Sequence, residues 1–168
     1  MLPPLQTSSG PEGNILLIEE YGALAVAIRS ALKKFAPQQT VFVANSLKAA
    51  DELATKHRPE LLIIDIDPPL KATLAFIVRM KALLPEARAL IIGAGIPLDV
   101  LRERRQPTAL EFIEKPFPLA QFGETVESLL NRGEDESRGV LRDLNLGDVI
   151  PLLCLEGATA LVLSLIHI

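Results

Sequence analysis

The fold is decided at residues 61–65, Leu61-Leu62-Ile63-Ile64-Asp65, where four branched apolar side chains run into one carboxylate. A run this short and this apolar does not suit a surface helix, and it is typical of a parallel strand that is buried on both faces. A second such run, Asn14-Ile15-Leu16-Leu17-Ile18, ends at the acidic pair Glu19-Glu20. Because ligands of a parallel sheet gather at the carboxyl ends of its strands, we expect these acids to meet at one site.

Strand and helix patterns alternate around these two runs. The predicted strands cover residues 14–18, 40–44, 61–65, 89–92 and 110–113. Between them, apolar residues recur at helical spacing, as at Leu24, Ile28 and Leu32 in the first helix. Ser46 is a candidate N-cap for the second helix. The alternation predicts right-handed crossovers and an α/β fold, with a doubly wound parallel sheet of five strands.

A lysine completes the charged groups at the expected site. Lys115-Pro116-Phe117 follows the fifth predicted strand, and Asp67 adds a carboxylate two positions after Asp65. A carboxylate can attack phosphorus while a lysine and a Mg²⁺ ion offset charge on the phosphoryl oxygens. With so many acids together, we expect the pKa of at least one carboxyl to rise unless a cation or Lys115 offsets the repulsion.

These residues together resemble the bacterial two-component response regulator receiver domain, over roughly residues 14–131. The resemblance implies the flavodoxin-like (βα)5 receiver fold, with Asp65 as the phosphoacceptor and Lys115 in contact with the phosphoryl group. It also implies weak binding of Mg²⁺ by Glu19, Glu20, Asp65 and the backbone carbonyl of Asp67. The family uses aspartates where this chain has the two glutamates, and each glutamate is longer by one methylene.

The resemblance also marks two switch positions. The family's sensor, a Ser or Thr after the fourth strand, falls on Gly93, which has no hydroxyl to bond the phosphoryl group. Gly93-Ala94-Gly95 either donates backbone N–H groups to an anion or simply permits a tight turn. Phe112, three positions before Lys115, matches the family's switch aromatic, and the alternative is that it belongs to the ordinary core at the strand end.

The resemblance implies a signal-transduction receiver of a phosphorelay, which is not an enzyme in the turnover sense. Asp65 would accept a phosphoryl group from a histidine kinase or another phosphodonor. A downstream protein partner would then bind the helix between strands 4 and 5, strand 5 and the last helix. The alternative is a pseudo-receiver, a protein docking module that works without phosphorylation, and Gly93 and the glutamate pair favour it. A small α/β enzyme or nucleotide binder is disfavoured, since no phosphate-cradling glycine motif opens the first helix.

Composition limits the classes of partner that the chain is expected to bind. The chain has 168 residues, 49% of them hydrophobic, and a formal charge of −4, which gives no electrostatic case for direct binding of nucleic acid. The single Cys154 has no partner for an internal disulfide and suits a reducing cytoplasm. No stretch before the C-terminal part reaches the roughly 20 apolar residues of a membrane helix, so no membrane association is expected. A homodimer remains an open alternative.

The chain divides into five predicted segments. They are a disordered lead-in at residues 1–13, the receiver domain at 14–131, a charged linker at 132–139, the start of a truncated second domain at 140–162 and a non-native tail at 163–168. The second domain resembles the opening of a small domain of unknown function that follows receivers in some bacterial regulators. The tail resembles a translated sequencing-library adaptor.

Overall fold

The structure is a computed structural model, and it describes residues 13–66, 70–95 and 110–131. The predicted linker, second domain and tail lie outside these residues, as does the lead-in apart from Gly13. Asp67, one of the predicted metal ligands, lies outside them as well.

Within the described residues, five strands and four helices follow the predicted order. The elements are β1 (Asn14–Ile18), α1 (Gly22–Phe35), β2 (Thr40–Ala44), α2 (Leu47–His57), β3 (Leu61–Ile66), α3 (Leu70–Leu83), β4 (Arg88–Gly93), β5 (Leu110–Glu114) and α4 (Leu119–Leu130). The predicted bounds of β1 and β2 are confirmed; β3 and β5 are each one residue longer at the C-terminal end than predicted, and β4 is one residue longer at both ends. The predicted cap is also confirmed, since Ser46 Oγ accepts the backbone N–H of Ala49 at 3.2 Å.

The strands form one parallel sheet in the order β2-β1-β3-β4-β5, which confirms the predicted doubly wound fold. The chain moves outward from β1 to β2 and then returns to place β3 on the other side of β1. In sheets of this kind the crevice at the carboxyl ends, beside such a reversal, is where ligands bind. The reversal lies between β1 and β3, the two strands that end in acids.

Two apolar layers explain why the strands read as unbroken hydrophobic runs. Side chains alternate along each strand, so Leu16 and Leu62 face one layer while Leu17 and Ile63 face the other. The first layer also holds buried residues of α2 and α3, namely Ala50, Ala54, Leu74, Phe76, Ile77 and Met80. The second holds buried residues of α1 and α4, namely Ile28, Ala31, Leu32, Phe122, Val126 and Leu129. Because both faces are covered, polar chemistry is confined to the sheet's ends.

Candidate functional site

Strand register brings the acids of β1 and β3 together. Ile18 is paired with Ile64 across the two strands, so the next residues, Glu19 and Asp65, follow at adjacent positions on the carboxyl edge. Lys115 arrives from the other direction, one residue beyond the end of β5. Its backbone N–H donates to the carbonyl oxygen of Gly93 at 2.9 Å, which fixes it beside the end of β4.

Asp65 and Lys115 form an ion pair. Lys115 Nζ lies 2.6 Å from Asp65 Oδ1, a short charge-assisted hydrogen bond. The Asp65 side chain is 2% exposed and the Lys115 side chain is 26% exposed. The carboxylate is therefore fixed at the bottom of the site, whereas the ammonium can reach solvent. The peptide bond between Lys115 and Pro116 is cis.

Glu19 is the second buried acid of the site. It is 3% exposed, and its Oε1 accepts the backbone N–H of Tyr21 at 2.7 Å, at the start of α1. The remaining oxygens, Glu19 Oε2 and Asp65 Oδ2, are both buried and accept no hydrogen bond from the part of the chain that the structure describes. Two buried acceptor oxygens without donors call for a proton or a cation between them.

The charge state of Glu19 reflects this shortage of donors. Burial, followed by a hydrogen bond with the Asp65 carboxyl and the charge of Asp65, raises the pKa of Glu19 to about 7, while the N–H of Tyr21 and the charge of Lys115 act in the opposite sense. A protonated Glu19 donates to Asp65 and so satisfies both orphaned oxygens. The predicted rise of a carboxyl pKa is confirmed, although burial contributes more than repulsion between like charges.

The donor set fits Mg²⁺. This ion prefers hard oxygen ligands and retains several waters, so one or two carboxylates plus phosphate oxygens are enough to hold it. The orphaned oxygens of Glu19 and Asp65 are of that kind. Glu20, by contrast, is exposed to solvent. Over residues 13–66, 70–95 and 110–131, no three His, Cys, Asp or Glu side chains come close enough together to hold a metal.

Comparison with known proteins gives two relatives by sequence. The chain is 28% identical over 116 residues to sporulation initiation phosphotransferase F of Bacillus subtilis, covering 69% of this chain and 92% of that protein. It is 24% identical over 109 residues to the transcriptional regulatory protein MalR of the same bacterium, covering 65% of this chain and 46% of that protein. No protein-family model matches the chain.

Solved structures agree on the fold. A response regulator from Thermotoga maritima superimposes with a TM-score of 0.59 at 20% identity, covering 71% of this chain and 98% of that one. A structural likeness at that identity shows the fold, and the sequence similarity to the phosphotransferase agrees with it. The described residues have the response-regulator receiver fold.

The receiver's two predicted switch positions lie at strand ends. Gly93 is the buried last residue of β4, and Gly95 follows with a φ of +66°, in the left-handed region that favours glycine. Phe112 is half-buried on β5, an edge strand, and packs against the layer formed with α2 and α3. The switch roles of Gly93 and Phe112 stay predictions.

A cleft opens beside Asp65, and sequence reasoning did not find it. We call it the α1 cleft; it has a volume of about 570 Å³ and is lined by Leu24, Ile28, Asp65, Ala94, Lys115, Pro116 and Phe117. Leu24 and Ile28 were recognised in the sequence only as members of the apolar face of α1. Helical periodicity does not distinguish residues that pack inward from those at the margin of the core, so this signal could not have revealed the cleft.

Over the described helices, none combines the length and the apolar character that crossing a bilayer requires.

Proposed function

We propose that this receiver acts in a phosphorelay, accepting a phosphoryl group on Asp65 from a histidine kinase or a small phosphodonor. The observation that carries the proposal is the buried Asp65 carboxylate, which has Lys115 Nζ at 2.6 Å on one oxygen and no donor on the other. Such a carboxylate is held in place and remains able to react. Relationship to a protein named as a phosphotransferase supports the same chemistry.

Each residue of the site has its own role in the proposed phosphoryl transfer. An oxygen of Asp65 attacks phosphorus, an O–P bond forms, and the bond between phosphorus and the donor's nitrogen or oxygen breaks. Lys115, whose side chain is partly exposed, moves from Asp65 to the phosphoryl oxygens and offsets their charge. The orphaned oxygens of Glu19 and Asp65 would hold Mg²⁺, which would supply further neutralisation of charge on the phosphoryl group. Glu19 would release its proton to the solvent in order to act as that ligand.

We also propose partners for the protein and a location in the cell. A histidine kinase or another phosphodonor supplies the phosphoryl group, and a downstream protein reads the change on the surface around β5 and α4. The protein is a signal carrier and not an enzyme in the turnover sense. A cytoplasmic location is part of the proposal and is supported by the single cysteine of the sequence.

A pseudo-receiver is the second candidate, and one observation favours it. Lys115 already neutralises Asp65, and a protonated Glu19 satisfies the remaining oxygens, so the pocket is complete without a phosphoryl group. In that case the fold would serve as a protein docking module, and its surface would be the same in the presence and absence of a phosphodonor.

Acetyl phosphate with Mg²⁺ separates the two candidates. Intact-mass measurement should show one added phosphoryl group on the wild-type chain and none on Asp65→Asn. Asp51→Asn is the matched control, because Asp51 lies on α2 in a solvent-exposed pair with Arg79, and it should be modified like the wild type. A folded wild-type protein that gains no mass under saturating donor would reject the phosphoacceptor and leave the docking module.

A further inference from the structure

The lining of the α1 cleft combines polar and apolar side chains. Asp65 and Lys115 are its polar members. Its apolar members, which we call its walls, are Leu24 and Ile28 of α1 and, after β5, Pro116 and Phe117. Phe117 is steadied by stacking on the buried ring of Phe122, with ring centroids 6.0 Å apart. Apolar walls around a few polar groups are typical of small-ligand sites.

The direction of phosphoryl transfer gives a reason to consider this cleft as the site of the leaving group. The attacking and leaving atoms lie roughly in line on opposite sides of phosphorus. Because the Asp65 side chain is almost fully buried, a leaving group in line with its oxygen would point outward, and the α1 cleft is the described space that Asp65 lines. Acetate is a small leaving group and would leave most of these walls uncovered.

We propose that the α1 cleft binds the apolar portion of the phosphodonor, so that the receiver prefers acyl phosphates with chains longer than acetyl. The inference rests on the proposed function of Asp65. In the step itself an Asp65 oxygen forms the bond to phosphorus, the bond from phosphorus to the acyl oxygen breaks, and that oxygen leaves with the electron pair as a carboxylate. No oxidant, reductant or additional proton is needed.

A series of acetyl, butyryl and hexanoyl phosphate isolates the effect of the cleft. The three leaving carboxylates have similar basicity, so intrinsic reactivity is nearly constant while chain length changes. A fully buried methylene corresponds to a factor of about four, from about 0.8 kcal/mol. Since the cleft is open on one side, we expect the second-order rate constant for phosphorylation to be about fivefold to tenfold higher for butyryl than for acetyl phosphate. Intact-mass time courses with Mg²⁺ on the full chain measure it.

Variants in the walls test the location. Leu24→Ala removes part of one wall and should lower the ratio of butyryl to acetyl rate constants by about threefold. Phe117→Leu provides an independent test on the other wall, should the α1 variant fold poorly. Val26→Ala is the matched control, because Val26 lies on the same helix but is 66% exposed and does not line the cleft, so the ratio should stay at the wild-type value.

The outcomes separate this inference from the function on which it rests. Equal rate constants for the three donors would overturn the cleft assignment and leave Asp65 as the acceptor. A chain-length preference that survives both Leu24→Ala and Phe117→Leu would also overturn it, because the apolar contact would then lie elsewhere. Failure of every donor to phosphorylate folded protein would reject the proposed function itself and this inference with it.

Discussion

Replacing Glu19 with glutamine should remove a pH dependence from the stability of the receiver. Glu19 has its pKa raised from 4.5 to about 7, so between these values the folded state holds a proton that the unfolded state has lost. Stability then falls as pH rises, because the folded state binds more protons than the unfolded state in that window. The contribution is fully present below pH 4.5 and is lost once pH has passed about 7.

The magnitude follows from the two pKa values. Between pH 5 and pH 8, the linkage relation gives a loss of about 2 to 3 kcal/mol from Glu19 alone, because each pKa unit corresponds to a little over 1 kcal/mol. The glutamine side chain of the Glu19→Gln variant would keep the shape and a donor for Asp65 but does not titrate. The difference in unfolding free energy between Glu19→Gln and the wild type should therefore grow by about 2 to 3 kcal/mol in favour of the variant over this range.

Urea unfolding at pH 5, 6, 7 and 8 in the presence of a chelator measures this difference. Taking the difference between variant and wild type cancels the other titrating groups, including Glu60, whose pKa burial also raises. Glu20→Gln is the control, since this neighbouring side chain is exposed to solvent and its variant should follow the wild-type profile. If the profiles of Glu19→Gln and the wild type stay parallel from pH 5 to pH 8, the burial argument is wrong.

Three further predictions concern the ion pair, the cation and the switch. Lys115→Met leaves the Asp65 carboxylate buried without its partner and should lower the unfolding free energy by about 2 kcal/mol at pH 7. The loss is smaller than for a fully buried pair because the Lys115 side chain is partly exposed. An unchanged urea midpoint would contradict this. Millimolar Mg²⁺ should raise the melting temperature of the wild type by mass action and that of Asp65→Asn much less, and equal shifts would place the cation elsewhere. A beryllofluoride mimic of the phosphoryl group should change amide chemical shifts strongly near Asp65 and only slightly near Phe112, because Gly93 lacks a hydroxyl. Gly93→Thr should enlarge the shifts near Phe112. Large shifts near Phe112 in the wild type would show that another group senses the phosphoryl group.

The fold could be predicted from the sequence because the strands are buried on both faces. That burial requires short, unbroken apolar runs such as residues 61–64. The first charged side chain after such a run marks the end of the strand in the sequence. The topology then brings those ends to one edge, which is why Asp65 and Lys115 could be placed together before the structure was known.

The finer features of the site depend on side-chain direction and on packing between distant segments. Glu19 and Glu20 are adjacent and chemically identical, yet one is buried and the other is exposed. The sequence does not show which of them turns toward Asp65. The walls of the α1 cleft come from α1 and from the segment after β5, which are far apart in the chain, and nothing in either segment alone indicates that they face each other.

The most direct measurement of the central claim is to locate the phosphoryl group on the chain. After incubation with acetyl phosphate and Mg²⁺, borohydride reduces an aspartyl phosphate to homoserine, and peptide mass mapping then identifies the modified position. The account predicts homoserine at position 65 alone, in the wild type and in Asp51→Asn. Modification at another carboxylate, or none in folded protein, would contradict it.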